Sequence, residues 1–334
     1  MSTMKDVARL AGVSVQTVSC VVNAKPGITE ETRARVWQAI KDLGYHPYSI
    51  ARSLRTRQTR TIAFFVSDIV NPSLAAMASA AEDFAHQFGY SVVLYNTHGD
   101  MAREASYIRT AIERWVDGIV LIAVTEDMPS LETLSEAGIP VVAIDRAPEP
   151  HSGPAVTLDN VAAGSLAAEH LLDLGHTRIS HISGPLSLRL AQERLAGFRK
   201  AIEGRGLEVN HCIPGEGNWE CMAGYKAMQR ILACPELPTA IFSANDRMAI
   251  GAMRAIDEAG LRVPQDISIV GLDDIEVAAF QTPPLTTVRQ SFTEMATLGV
   301  KLLLDVLAGK EPSERHIVLQ PTLVVRQSTA PPGG

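Results

Sequence analysis

The period of apolar and polar positions changes along the chain. Near its start, MKDVARLA runs up to Gly12, VQTVSCVVN follows Ser14, and EETRARVWQAIKDLG follows Thr29, each with apolar residues at helical spacing. Thr3 and Asp6 have the spacing of a capping box, which predicts a first helix from about Met4. Gly12 ends it, and Ser14 caps a second helix from Val15 to about Asn23. Thr29 caps a third, acidic in its first turn and ended by Gly44. On a helical wheel of the second helix, Val18, Val21 and Val22 gather on one side. Val15, Gln16, Ser19, Cys20 and Asn23 gather on the other, with Thr17 at the border. Three short helices with a tight turn between the first two form an all-α helix-turn-helix headpiece, whose second helix can enter a DNA major groove. A small helical bundle that binds nothing has the same pattern.

From Thr61 onward, short apolar runs alternate with amphipathic helical segments. TIAFFVS, YSVVLYN, GIVLIAV and IPVVAID read as strands, followed by a second series, ISHIS, TAIFSA and ISIVGLD. Helical patterns lie between them, for example Ser73 to Phe88 and Arg103 to Trp115. This alternation predicts an α/β core with parallel sheets and helices on both faces. Two series predict two lobes, with ligand sites at the carboxyl ends of strands. No apolar run approaches the roughly 20 residues of a membrane helix. The opening MSTMKDVARL lacks a basic-then-apolar signal pattern, so a cytoplasmic location is expected.

With 334 residues, 46% of them hydrophobic, the chain has material for two or three domains. Charge separates them. Residues 1–60 carry a net +6, whereas the whole chain carries −7, so the remainder holds −13. A basic head on an acidic body points to a polyanion as the partner of the head alone. The four cysteines, Cys20, Cys212, Cys221 and Cys234, have no metal-binding spacing and read as free thiols.

Polar residues cluster where the apolar runs end: Ser67, Asp68, Asn96, Asp145, Ser183, Asn245, Asp246, Asp273 and Asp274. Facing a cleft, such groups suit a polyhydroxylated or heterocyclic ligand. They would equally serve to cap the helices that follow. Enzyme motifs are missing: there is no GxxxxGK[ST] loop, GxSxG elbow, HExxH or GxGxxG, and no evident acid–base pair. His170, His176 and His181 are spaced by six and five, which does not place all three on one helix face. No catalytic residue, cofactor or metal is expected.

MKDVARLAGVSVQTVSCVVNAKPGITEETRARVWQAIKDLGYHPYSIARSLRT resembles the DNA-binding head of the lactose-repressor (LacI/GalR) family of bacterial transcription regulators. LGHTRISHISGP, RLAGFRKA, FSANDRMAIGAMRAIDEAGLRVPQDISIVGLDD and PPLTTVRQSF are similar to its periplasmic-binding-protein-like core, from about Thr61 to Gln327. The resemblance implies domains at 1–46 (headpiece), 47–60 (hinge helix and linker), 61–327 (two-lobed ligand-binding and dimerisation core) and 328–334 (flexible tail). It assigns base reading to Val15, Gln16 and Cys20 and phosphate contacts to Thr17 and Ser19. Thr29, Ala51, Arg52 and Arg55 join the DNA-facing set, with Leu54 as a minor-groove wedge. Apolar wedges unstack a base step, and arginines beside one meet phosphates. The family usually has arginine at the position of Cys20, and an arginine–guanine pair is worth about 1–3 kcal/mol of discrimination. Cysteine cannot replace it, which implies an altered operator without a strong guanine preference there. A redox role for Cys20 lacks a basic neighbour within the helix.

In the core, the resemblance implies a ligand site of Ser67, Asp145, Arg194, Trp219, Asn245, Asp273 and Phe292, with Gln290 beside them. Arg194 would hold hydroxyls or a carboxylate by paired donors, Asn245 and Asp273 would bond ring hydroxyls, and Trp219 and Phe292 would cover an apolar sugar face. EGNWECMAGY around Trp219 is especially similar to the version in the family's namesake, which favours a sugar over a purine or nucleoside. NPSL departs from the family's Asn-Pro-Phe-Phe, placing Ser73 and Leu74 where two aromatics are usual, so that wall is expected to be more open or more polar. The implied function is a homodimeric, ligand-responsive repressor of bacterial transcription, cytoplasmic and nucleoid-associated. It would bind a pseudo-palindromic operator in double-stranded DNA. The alternatives are a sugar-binding protein whose head has lost operator binding, or a regulator of the same build that senses a nucleobase or nucleoside. TAPPGG has no heptad pattern that would join dimers into tetramers.

Overall fold

The computed structural model describes residues 2–23, 25–45, 58–148, 153–207 and 217–333. The chain forms two compact units, Met1–Thr59 and Arg60–Gly334.

In the first unit, α1 (Met4–Ala11), α2 (Val15–Val22) and α3 (Glu30–Asp42) start where their caps predict. Thr3 and Asp6 form the reciprocal capping box, and Gly12 closes α1 with a left-handed φ of 64°. The oxygens of Ser14 and Thr29 accept the N–H groups of Thr17 and Thr32. Val7, Val18, Val21, Val36, Ile40 and Tyr45 close a small core, so the valine face of α2 is its buried face.

The second unit has two sheets. The first, in the order β10-β5-β4-β3-β1-β2, combines β1 (Thr61–Val66), β2 (Ser91–Asn96), β3 (Gly118–Leu121), β4 (Val141–Ile144), β5 (Ala155–Leu158) and β10 (His316–Leu319). All of its pairings are parallel. The second, in the order β11-β9-β8-β7-β6, combines β6 (Ile179–Ile182), β7 (Ala240–Ser243), β8 (Ser268–Asp273), β9 (Thr286–Arg289) and β11 (Thr322–Val324). Only β11 runs antiparallel to its neighbour. The predicted strands are all present. The shorter or more polar β5, β9, β10 and β11 were not foreseen.

In the first lobe, α4 (Pro72–Gln87), α5 (Met101–Glu113) and α6 (Ser130–Glu136) join the strands. In the second, α7 (Asn160–Asp173), α8 (Arg189–Gly204), α9 (Cys221–Leu232), α10 (Asp246–Glu258) and the short α11 (Glu276–Ala279) do so. The chain then returns to the first lobe through α12 (Phe292–Leu307), which packs on α4 and on β3, β4 and β5. Helices pair closely in the second lobe. A Cβ on Gly164 of α7 would lie 2.0 Å from the Arg194 carbonyl oxygen of α8, and one on Gly251 of α10 would lie 1.8 Å from that of Cys221 in α9. Only glycine permits these backbone approaches.

Two expectations are corrected. The segment from Ser328 is no flexible tail: Ser328 is fully buried, its hydroxyl donating to the Ile269 carbonyl and accepting from the Thr286 N–H, both at 2.7 Å. Ala330 exchanges two 3.0 Å bonds with the Ser268 hydroxyl. The cysteines are not all free thiols either, because Cys234 is disulfide-bonded, while Cys20 and Cys221 are free. Among the described residues no helix is long and apolar enough to cross a membrane.

Candidate functional site

The face of α2 opposite Val18 and Val21 is open. Val15 is 41% exposed, Gln16 is exposed, and Thr17, Ser19 and Cys20 are half-buried. The polar side chains are tied locally: the Thr17 hydroxyl bonds Ser14, and Asn23 Nδ2 donates to the Ser19 carbonyl at 2.6 Å. Thr29, exposed at the start of α3, shares a hydroxyl bond with Thr32. This leaves Gln16 as the longest polar side chain among the three assigned base readers. Ala51, Arg52, Leu54 and Arg55 lie outside the described residues.

In the second unit a cavity of about 510 Å³ lies between the lobes at the carboxyl ends of the strands. All eight residues assigned to a ligand site line it: Ser67, Asp145, Arg194, Trp219, Asn245, Asp273, Gln290 and Phe292. Among the other strand-end candidates, Asp68 lines it as well, whereas Asn96, Ser183, Asp246 and Asp274 do not. Asp246 and Asp274 work inside the lobe. Asp246 accepts from the Thr287 hydroxyl and the Ile275 N–H, and Asp274 pairs with Arg289 and Arg326.

The roles differ in detail from those first assigned. Arg194 is buried and does not present a free paired fork: Nε donates to Asn160 Oδ1 at 2.9 Å and Nη1 to the Ala244 carbonyl at 2.7 Å. Its guanidinium lies 5.6 Å from the Trp219 ring centroid, a cation–π approach. Asn245 does cap α10, accepting from the Met248 N–H, while its Nδ2 donates to the Trp219 carbonyl. It therefore fixes the backbone that carries the indole. Gly184 makes room for that indole, since a Cβ there would lie 2.1 Å from the ring.

Two arginines were overlooked. Arg146 donates from Nη2 to the Ser67 hydroxyl at 2.7 Å and from Nη1 to the Val124 carbonyl at 3.3 Å, and pairs with Asp145 at 3.8 Å. The charged residue directly after Asp145, at the end of an apolar strand, was the available signal. Arg247 pairs with Asp68 across the cleft at 3.4 Å. No motif marked it, because its partner lies 179 positions away.

Burial governs the electrostatics. It pushes Asp145 and Asp273 up from the usual carboxylate range, against the opposing pull of Arg146 and Arg194 on Asp145 and of Arg194 on Asp273. Asp246 adds a further upward push on Asp273. Four lining residues, His98, Asp145, Trp219 and Asp273, have left-handed φ values of 53°, 61°, 71° and 128°. Non-glycine residues held there store strain, and the cavity gathers four of the seven in the described chain. The three histidines take no part. His181 stacks between Phe198 and Phe242, with burial holding its pKa down to about 3, and His170 and His176 bond Thr329 and Ala330 of the terminal segment.

Known proteins agree with this architecture. The description "Bacterial regulatory proteins, lacI family" matches residues 3–48, and "Periplasmic binding protein-like domain" matches residues 168–329. The ribose operon repressor of Escherichia coli K12 is 39% identical, over 98% of this chain and 100% of its own. The HTH-type transcriptional repressor PurR of Aliivibrio salmonicida is 37% identical, over 98% and 99%. A crystal structure of the lac repressor dimer bound to operator and the anti-inducer ONPF superposes with a TM-score of 0.90 at 32% identity, over 98% of this chain and 99% of that one. With the headpiece, the two-lobed core and nearly every residue of such relatives aligned, the chain belongs to the lacI family of bacterial regulatory proteins.

Proposed function

We propose that this regulator is a cytoplasmic homodimeric repressor whose operator affinity is set by an uncharged sugar bound in the cavity between the lobes. The observation that carries the reading is the charge pattern of the lining. Its three arginines, Arg146, Arg194 and Arg247, face three aspartates, Asp145, Asp273 and Asp68, with Glu220 exposed at the rim. Arginines so balanced leave little net attraction for a phosphate or carboxylate. Their remaining polar atoms, beside Trp219 and Phe292, suit a ring with hydroxyl edges and an apolar face. The relative named for the ribose operon supports a monosaccharide. In the headpiece, Val15, Gln16 and Cys20 are proposed to meet base edges and Thr17, Ser19 and Thr29 the backbone. The arginines at 52 and 55, with Ala51 and Leu54, would serve the hinge.

The second copy is proposed to seat on a groove of the second lobe in which Met222, Tyr225, Ile250, Phe280 and Pro283 lie beside the charged Arg254, Asp257, Glu258 and Arg262. Phe280 is 77% exposed there. The lac repressor dimer supports a second copy as the occupant.

The test combines two measurements. A thermal-shift panel of D-ribose, other monosaccharides, phosphosugars and nucleobases is expected to give its largest stabilisation with a neutral monosaccharide, because a tight ligand stabilises the state it binds. Gel shift with the chain's own upstream DNA at two salt concentrations is expected to show steeply salt-dependent binding that this sugar alters. Undetectable binding at low salt would assign the chain to sugar binding without operator recognition. A nucleobase winning the panel would replace the sugar.

A further inference from the structure

Glu104 lies in the first turn of α5 and is only 3% exposed. It does not line the cavity, but Val124 does, and Glu104 Oε2 accepts the Val124 N–H at 3.0 Å. The carbonyl of the same Val124 accepts Nη1 of Arg146 at 3.3 Å. A single residue of backbone therefore stands between a buried carboxylate and a cation of the cavity wall. Taking a carboxylate out of water is costly, and a neutral oxygen would satisfy one N–H as well. The charge of Glu104 calls for a second reason.

Arg146 supplies it. Burial pushes the Arg146 guanidinium down, and Asp145, Glu104 and Glu126, in that order, draw it back up. Asp145, which pairs with Arg146 at 3.8 Å, is shared, because Arg194 acts on it too. Glu126 is engaged by the Arg189 N–H of the second lobe. On Glu104, burial pushes the carboxyl up, and the Val124 N–H and then Arg146 pull it back. A phosphate or carboxylate entering the cavity would have to compete with these groups for Arg146. Glu104 competes from behind the wall, where no ligand can displace it.

We propose that Glu104 is a specificity-determining residue that does not touch the effector: as the rear counter-charge of Arg146, it keeps the cavity from taking up an anion and so reserves it for a neutral ring. The inference rests on the cavity being the site of an uncharged effector.

Glu104→Gln in the full-length chain tests it, since glutamine keeps an oxygen for the Val124 N–H and removes the charge. Calorimetry at constant ionic strength, with inorganic phosphate and D-ribose as separate probes, reads the result. The variant is expected to bind phosphate about tenfold more tightly than wild type, the weight of one charge acting across a few ångströms of protein. Its affinity for D-ribose is expected to be unchanged, because Glu104 lies outside the lining. The double variant Glu104→Gln, Arg146→Gln removes both charges and is expected to bind phosphate as wild type does, a return that the loss of a structural hydrogen bond would not produce. Phosphate held by the basic headpiece is common to all three proteins and cancels. Equal phosphate binding by Glu104→Gln and wild type, including none by either, would overturn the assignment, as would a gain that persists in the double variant. If the single variant fails to fold and the double variant folds, stability itself shows the balance of charges. Failure of both to fold would make Glu104 a structural acceptor and overturn the inference. If D-ribose binds neither wild type nor Glu104→Gln, the ribose reading falls separately, and the phosphate comparison still decides the role of Glu104.

Discussion

Asp246 sits fully buried at the first position of α10, one carboxylate oxygen on the Thr287 hydroxyl at 2.6 Å and the other on the Ile275 N–H at 2.9 Å. Burial pushes its pKa up to about 6, more than these two bonds pull it down, with the nearby Asp274 adding to the rise. The unfolded carboxyl titrates near 3.8, so between about 4 and 6 the folded protein holds a proton that the unfolded chain releases. Stability contributed by this group therefore falls as pH rises through that window and is level above it. Asp246→Asn can keep both contacts, with its oxygen on Ile275 and its amide on the Thr287 oxygen. The variant is expected to melt at or above wild type at pH 7 and to lose that advantage near pH 4. Thermal melts across pH 4 to 7 check this, and a difference that stays constant with pH would exclude titration of Asp246 as its source. Asp273 rises for the same leading reason, so the acid that faces the ligand and the acid that supports the lobe are joined electrostatically.

At the scale of elements, the runs that fill both faces of a sheet were legible because they are continuous and apolar: β1, β3, β7 and β8 are almost wholly buried. β10 and β11 have no such signature, being half exposed at sheet edges. The residues around the cavity were legible as polar groups at strand ends. Their bonding partners were not, since the contacts of Arg194 and Arg247 join residues tens to nearly two hundred positions apart. The terminal segment shows the limit of composition. Its prolines and glycines exclude a helix, but they say nothing of hydrogen bonds made to the β8–β9 region. Ser328 satisfies the Thr286 N–H and the Ile269 carbonyl with one hydroxyl. Ser328→Ala would leave both buried groups unpaired, an expected cost of about 2–6 kcal/mol at about 1–3 kcal/mol for each group. Urea unfolding checks it, and a loss below about 0.5 kcal/mol would show that the segment is dispensable to the second lobe.

Across the whole sensor unit, two carboxylates of the first lobe reach the second. Asp68 pairs with Arg247 at 3.4 Å, and Glu126 accepts the Arg189 N–H at 2.5 Å. The second contact supplies what the sequence of α8 lacks. Its N-cap residue is Leu188, with no side-chain bond to the first turn, so a carboxylate from the other lobe meets the positive end of this 16-residue helix. Each contact is individually modest, because Asp68 is 39% exposed and screened by solvent. Their leverage comes from geometry, since both span the same cleft and a change in lobe angle breaks them together. Ligand control requires an equilibrium between lobe arrangements, and contacts present in only one of them bias it. Hydrogen exchange at the first turn of α8 reads that bias. Glu126→Ala is expected to speed exchange of the Arg189 amide directly. Asp68→Asn is expected to speed it as well, although Asp68 touches no part of α8, and raising the salt concentration should do the same in wild type. Faster exchange in Glu126→Ala alone would mean that the two contacts act locally and that the lobes do not open as one step.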